Sequence, residues 1–244
     1  MYILAIDTTG PLGSAALLNL DNEKVLMKVS REEKGHLKNL MPLVDELLKE
    51  EQITPKDIAA VAASVGPGSY TGIRIGVSSA RAFAQALDVP CIRVGSLDMF
   101  AQKAVSRDTA VIFNARRGQV YGAVYRAGGE TVMRPCPCML EDVYNCVKEN
   151  QLNPVWYGDG IDAYQGSEKY GKYLEGAECS PEEERYQTAE MTALEALKLY
   201  RAGKTCRVDE LLPDYMRKTE AEQKLQDGSL ERARAAKLAK FRSR

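Results

Sequence analysis

The stretch from Ala63 to Leu87, ASVGPGSYTGIRIGVSSARAFAQAL, constrains the fold of this chain more than any other. Ile58 to Val65 is a continuous run of small, mostly apolar residues, as expected of a strand covered on both faces. Gly66, Pro67, Gly68 and Gly72 then let the backbone turn sharply and pass close to whatever lies above it. A helix is expected to begin near Thr71, aiming unpaired N–H groups and its positive end at that space. Two readings stay open: a loop that holds phosphate, and a tight turn between a buried strand and a helix. Neither G-x-x-x-x-G-K-[ST] nor G-x-G-x-x-G is met. Along the helix, Gly72, Gly76, Ala80 and Ala84 recur every fourth residue and leave one side almost bare, a strip that another backbone can approach closely. Glycine inside a helix costs about 1 kcal/mol against alanine, so Gly76 is expected to serve packing.

The 244 residues, 45% of them apolar, are enough for one large domain or two small ones. With 33 basic and 34 acidic side chains the charges nearly cancel, which argues against nucleic-acid binding through broad phosphate contact alone. The chain opens directly into a strand without a basic-then-apolar leader, and no apolar run is long enough to span a bilayer; a cytoplasmic protein with no membrane association is expected. The six cysteines are then expected to stay reduced. Cys136-Pro-Cys138 is too tight for the usual zinc pair and reads as a half-buried strand end. His36 is the only histidine, so histidine triads and His-x-x-x-His metal sites all compete for one residue. It falls at the mouth of an amphipathic helix, His36 to Glu51, where capping or packing is the expected role.

Two halves repeat one order of elements. Strands at Tyr2–Asp7, Gly13–Leu20 and Lys24–Ser30 form a meander, followed by the His36 helix with Leu37, Leu40, Leu43 and Leu47 on a wide apolar arc, then the Ile58 strand and its helix. Pro90–Val94 adds a strand, and Ser96 is expected to cap a helix reaching Val105. After a polar break at Arg107-Asp108, strands are expected at Thr109–Asn114, Gln119–Arg126 and Thr131–Arg134. A helix, Glu141–Asn150, a strand, Val155–Tyr157, and the turn Gly158-Asp159-Gly160 follow. Asn114 takes the place of Asp7, and the Gly158 turn that of the Gly66 loop, which points to a duplication. Asp7-Thr8-Thr9, at the end of the first strand, suits either a hydrated metal or phosphate, or an Asx turn. Residues 165–184 carry no clear period. Ala189–Arg201 reads as a helix, Leu211–Arg217 as a bend with an apolar anchor, and the basic segment after Leu230 as a solvated helix or tail rather than a nucleic-acid contact.

Duplicated meanders with an aspartate closing the first strand resemble the superfamily of actin, sugar kinases and Hsp70. Within it, the chain resembles the TsaB (YeaZ) family through GPGSYTGIR at 66–74, NARRGQVY at 114–121, Ile6-Asp7-Thr8-Thr9 and Pro213-Asp214-Tyr215-Met216-Arg217. The resemblance implies an α/β fold of two similar actin-like, ribonuclease H-like domains, each a βββαβα unit. Residues 1–106 are expected to carry the partner-binding helices and 107–212 the second domain, with 213–244 returning to the first domain and ending in the basic tail. It also implies a non-catalytic accessory role in threonylcarbamoyladenosine formation on tRNA, as a scaffold that binds and activates a TsaD-like catalytic subunit. A TsaE-like ATPase and a TsaC-like adenylate synthase would share the pathway, and tRNA would be met through the complex. TsaD-like chains carry His-x-x-x-His where this chain has Ser96 to Phe100, and neither Ser96 nor Phe100 can replace imidazole as a ligand. Asn114 stands where the family commonly has aspartate.

The resemblance further implies pairing through the first two helices, either with the TsaD-like subunit or with a second copy when the chain is alone. Leu37, Leu40, Leu43, Leu47, Ile73, Val77 and Ala80 are the expected contacts. Asp7, Thr8, Thr9, Gly66, Gly68, Ser69 and Thr71 are the candidate phosphate-binding set. No metal site, no catalytic residue and no tightly bound cofactor are expected, with ATP and magnesium at most held at an interface shared with a partner. The alternative is an enzyme of the same superfamily, an ATP-dependent small-molecule kinase or ATPase, or a metallopeptidase.

Overall fold

The computed structural model describes residues 1–30 and 36–216, with His36 and Leu37 described as backbone alone. Strands β1 (Tyr2–Asp7), β2 (Ser14–Asn19) and β3 (Val25–Val29) form an antiparallel meander. Helix α1 (His36–Glu50) leads back to β4 (Ile58–Gly66), and α2 (Tyr70–Leu87) leads to β5 (Cys91–Gly95). Strands β4 and β5 add in parallel beside β1, giving the order β3-β2-β1-β4-β5. The sequence then repeats the plan. Strands β6 (Thr109–Asn114), β7 (Gln119–Tyr125) and β8 (Thr131–Met139) are a second meander, followed by α3 (Leu140–Glu149) and β9 (Val155–Tyr157). Helix α4 (Gly160–Tyr164), strand β10 (Glu178–Cys179), the single turn α5 (Glu182–Arg185) and α6 (Ala189–Arg201) complete it. The second sheet runs β8-β7-β6-β9-β10, the same order as the first. This is the duplicated α/β fold expected from the order of elements.

Side-chain alternation along the strands divides the core into layers. Ile3, Ala5, Ala16 and Leu18 from the first sheet and Val111, Phe113, Ala123 and Tyr125 from the second belong to one buried cluster, with α6 and the 3₁₀ stretch Asp98–Val105 packed among them. Helix α6 follows the second sheet in sequence but lies mainly on β1 and β2 of the first. The chain beyond it also returns to the first sheet: the Cys206 backbone exchanges N–H to carbonyl bonds with that of Cys91, and the Asp214 N–H donates to the Val65 carbonyl at 2.8 Å. The outer faces are closed by α1 and α2 over the first sheet and by α3 and α4 over the second. Leu40, Val44 and Leu47 are the stripe of α1 that meets the sheet, each burial worth about 1.5–3 kcal/mol. Met1–Asp214 is one compact unit; Tyr215–Arg244 is a second, of which only Tyr215 and Met216 fall within the described residues. No helix among the described residues is long and apolar enough to cross a membrane.

Two local expectations are corrected. Ser96 does not cap a helix: its hydroxyl bonds that of Ser64 at 2.7 Å, and Asp98–Val105 is 3₁₀. Strand β8 runs five residues past Arg134, because at the sheet edge Pro135 and Pro137 can leave their missing N–H groups unpaired. Residues 165–184 hold β10 and the start of α5, both too short to show any period. Pro42 lies inside α1, on its exposed side.

Candidate functional site

The first strands of the two meanders end in matching turns on either side of a cleft of about 670 Å³. At the end of β1, Asp7 Oδ1 accepts from the Thr9 N–H at 2.8 Å and from the Thr9 hydroxyl at 2.9 Å. At the end of β6, Asn114 Oδ1 accepts from the Arg116 N–H at 2.8 Å and from the Tyr164 hydroxyl at 3.0 Å. Both are Asx turns, in which a short polar side chain bonds its own backbone two residues on. The second glycine turn adds Asp159, whose Oδ1 accepts from the Asn114 N–H at 2.9 Å.

Beneath the first turn is a fully buried polar cluster. The Thr9 hydroxyl is 3.5 Å from that of Ser64 and 3.4 Å from that of Ser96, and the Thr192 hydroxyl on α6 is 3.3 Å from Asp7 Oδ2. Burial pushes the Asp7 carboxyl above its ordinary range, against the lowering effect of the Thr9 backbone and hydroxyl bonds. A group whose pKa is raised on folding stabilises the fold while protonated, and that contribution is lost as pH rises from about 4 through the folded pKa. Asp7→Asn keeps the acceptor for Thr9 and offers its amide to Thr192, which can then donate to the Thr188 carbonyl 3.2 Å away. The expected result is a melting temperature at pH 7 no lower than that of the parent chain, with any advantage shrinking towards pH 4. Thermal unfolding of both proteins across that range checks it; a large loss at pH 7 that persists at pH 4 would contradict it.

The cleft is lined from the first half by Thr9, Gly10, Gly68, Ser69 and Thr71, among others. Asn114, Arg116, Tyr121, Asp159 and Gln187 face it from the second half. Of the candidate phosphate-binding residues, Thr9, Gly68, Ser69 and Thr71 are therefore brought together. Asp7, Thr8 and Gly66 are not. Asp7 and Thr8 are buried, and the Thr8 hydroxyl donates to the Gly72 carbonyl at 2.7 Å. Gly66, at φ +118°, is covered by the backbone of Asp214. At the start of α2, Ser69 caps the helix by accepting from the Gly72 N–H at 3.2 Å. The hydroxyls of Ser69 and Thr71 and the Arg116 guanidinium suit an anionic or hydroxyl-bearing group. Asp159 opposes an anion there. Burial pushes its carboxyl up, opposed by the Asn114 N–H and aided by the neighbouring Asp162.

The expected partner surface needs correction. Leu40, Leu47, Ile73, Val77 and Ala80 are buried within the chain itself, leaving only Leu43 half-exposed; the Leu37 side chain lies outside those described. The bare strip of α2 faces inward too. A Cβ at Gly72 would overlap the Thr8 carbonyl oxygen, and one at Gly76 would stand 2.5 Å from the Thr8 hydroxyl oxygen. The close approach that the small residues permit is to the chain's own first strand. Outward, the two helices present Met41, 58% exposed, half-buried Leu43 and Leu48, and Tyr70, 40% exposed. Tyr70 lies under the Arg74 guanidinium at 4.2 Å.

Ser96 and Phe100, the positions compared with the histidine pair, are both committed to packing. Ser96 belongs to the hydroxyl cluster, and the Phe100 ring packs against Phe113 at 5.8 Å and Tyr157 at 5.7 Å. Among the described residues no three His, Cys, Asp or Glu side chains are grouped to hold a metal ion. Of the second-half residues, Asp159 falls in the turn read as the counterpart of the Gly66 loop, while Arg116, Tyr121 and Gln187 were not singled out as a site from the sequence. Gln187, 2% exposed, donates to the Thr9 hydroxyl at 3.3 Å and lies flat against Gly10. It stands just past the stretch without period, and its only signal is the Thr188 cap that opens α6.

Residues 30–158 match the family model described as TsaD, tRNA N6-adenosine threonylcarbamoyltransferase. The tRNA threonylcarbamoyladenosine biosynthesis protein TsaB of Bacillus subtilis is 31% identical over 229 residues, covering 92% of this chain and 97% of that protein. The chain belongs to the TsaB family. The TsaB protein of Escherichia coli is 32% identical over 240 residues, covering 92% of this chain and 98% of its own length. A crystal structure of a Pseudomonas aeruginosa protein with similarity to peptidase YeaZ superposes with a TM-score of 0.70 at 24% identity, covering 88% of this chain and 99% of that one. At that identity the likeness speaks for the fold.

Proposed function

We propose that the chain acts in threonylcarbamoyladenosine formation on tRNA as a non-catalytic subunit that binds and activates a TsaD-like catalytic subunit. The observation that carries this reading is the match to TsaB proteins over nearly the whole of both chains. The filling of the Ser96 and Phe100 positions by hydroxyl bonding and aromatic packing supports it. A TsaE-like ATPase and a TsaC-like adenylate synthase act in the same pathway on this reading, and the protein works in the cytoplasm. No cofactor is tightly held; ATP and magnesium would be met at a shared interface.

The contact face is the outer side of α1 and α2. Among the described side chains of the expected set, Leu43 alone is partly exposed, joined by Met41 and Leu48. The same face would pair two copies when no partner is present. Size-exclusion chromatography of the chain with a TsaD-like subunit tests this. A joint peak is expected, and Met41→Glu with Leu43→Glu should abolish it without changing the circular dichroism spectrum of the free chain, because an unpaired charge in a desolvated apolar contact is strongly unfavourable. A joint peak that survives both substitutions would rule out this face. The kinase or ATPase alternative draws on the hydroxyls and Arg116 in the cleft; tight binding of ATP with magnesium to the chain alone, measured by calorimetry, would favour it.

A further inference from the structure

A strip of cations seated on tyrosine rings crosses the second half from the cleft rim to α3. It begins at the β6–β7 turn, where Arg116 and Arg117 both have positive φ, at 67° and 56°. Two adjacent non-glycine residues in that region persist only where the surroundings hold them. Here the Tyr170 hydroxyl donates to the Arg117 carbonyl at 3.1 Å, and the Tyr164 hydroxyl is 2.9 Å from the Gln119 carbonyl. The Tyr164 and Tyr170 rings meet edge to face at 5.4 Å. The arginines are therefore presented on a fixed backbone.

Beyond the turn, Lys169 lies 5.2 Å from the centre of the Tyr170 ring and Lys172 lies 4.8 Å from that of Tyr173. The Tyr173 ring packs at 5.4 Å against Tyr144 of α3, over which Lys148 sits at 5.1 Å. The three lysines are exposed and the three tyrosines half-buried. Glu141, Glu149, Glu168 and Glu175 share these elements, so the strip is not a field of one sign. Its distinguishing feature is the repeated pairing of a cation with a ring. A guanidinium or ammonium group offers charge to phosphates, and a ring face offers stacking to bases, the combination that single-stranded nucleic acid uses and an acidic protein surface does not need.

We propose that this strip binds RNA, with Arg116, Lys148, Lys169 and Lys172 meeting phosphates and Tyr144 and Tyr173 stacking unpaired bases. That the RNA is tRNA rests on the proposed function; the strip itself does not. The chain's near-zero net charge is no obstacle, since the contact is local. None of its residues belongs to the basic segment after Leu230, which lies outside the described residues.

Fluorescence anisotropy with a labelled tRNA transcript, titrated with the full chain alone and with the chain bound to a TsaD-like subunit, tests the proposal. In both forms Lys148→Gln/Lys169→Gln/Lys172→Gln should weaken binding about tenfold near 0.1 M salt and make the slope of log K against log salt shallower by about 2 to 3. Tyr173→Leu should weaken binding about fivefold or more with the slope unchanged, because stacking but no charge is lost. Unchanged affinity and slope in the triple variant would overturn the strip, as would displacement of the RNA by polyglutamate as readily as by unlabelled RNA, the mark of an acidic-protein site. Failure of the parent chain to bind the TsaD-like subunit would count against the proposed function alone, because the salt slope of the free chain still decides the strip.

Discussion

Gly72→Ala is expected to lower the melting temperature, although the same change in an open helix raises stability by about 1 kcal/mol. The reason is the Thr8 backbone, whose carbonyl oxygen already occupies the place of the new methyl group. A backbone atom at the end of a central strand cannot rotate away as a side chain would, so α2 must lift from β1. Overpacking of this kind costs about 1–3 kcal/mol or more, and at about 2–4 °C per kcal/mol for a chain of this size the loss should approach 10 °C. Thermal unfolding followed by circular dichroism measures it. Gly76→Ala makes the comparison: its new methyl would meet the Thr8 hydroxyl, a side-chain atom that can yield by giving up its bond to the Gly72 carbonyl, so its loss should be smaller. A rise in melting temperature for Gly72→Ala would mean that the strip does not hold the helix to its own strand.

Phe100→Ala should cost about 3–5 kcal/mol, the usual range for removing a buried aromatic ring. Phe100 has no exposed surface and joins the Asp98–Val105 stretch to Phe113 on β6 and Tyr157 on β9. The loss should appear in chemical denaturation as a lower midpoint with an unchanged slope, since both halves share one core around this ring. Phe100→His at neutral pH should be nearly as costly, because imidazole brings polar atoms into an apolar site. A Phe100→Ala protein of full stability would remove the packing account of this position.

The order of elements in both halves was legible because small apolar runs, turn residues and helical stripes fell in one repeated sequence. The glycine loop was legible as a close approach, and so was the Asx alternative for Asp7. What approached the loop was not. Gly72 and Gly76 announced a missing side chain, but only the fold could say that Thr8 filled the space. The interface residues failed for a related reason. Helical spacing shows that Leu40, Leu43, Leu47 and their neighbours form one broad arc, and nothing in the spacing says which part of it meets the sheet. The middle of the arc, Leu40, Val44 and Leu47, went inward, where burial gains most. Gln187 was hidden differently: its part in the cleft depends on segments brought together from distant parts of the sequence.

Omission assays on unmodified tRNA with the purified pathway components, scored by the threonylcarbamoyladenosine formed, test the proposed role most directly. The role predicts no product from this chain alone, full product from the complete set, and a collapse of product when this chain is left out or replaced by Met41→Glu/Leu43→Glu. Product formed by this chain without a TsaD-like subunit, or undiminished product in its absence, would contradict it.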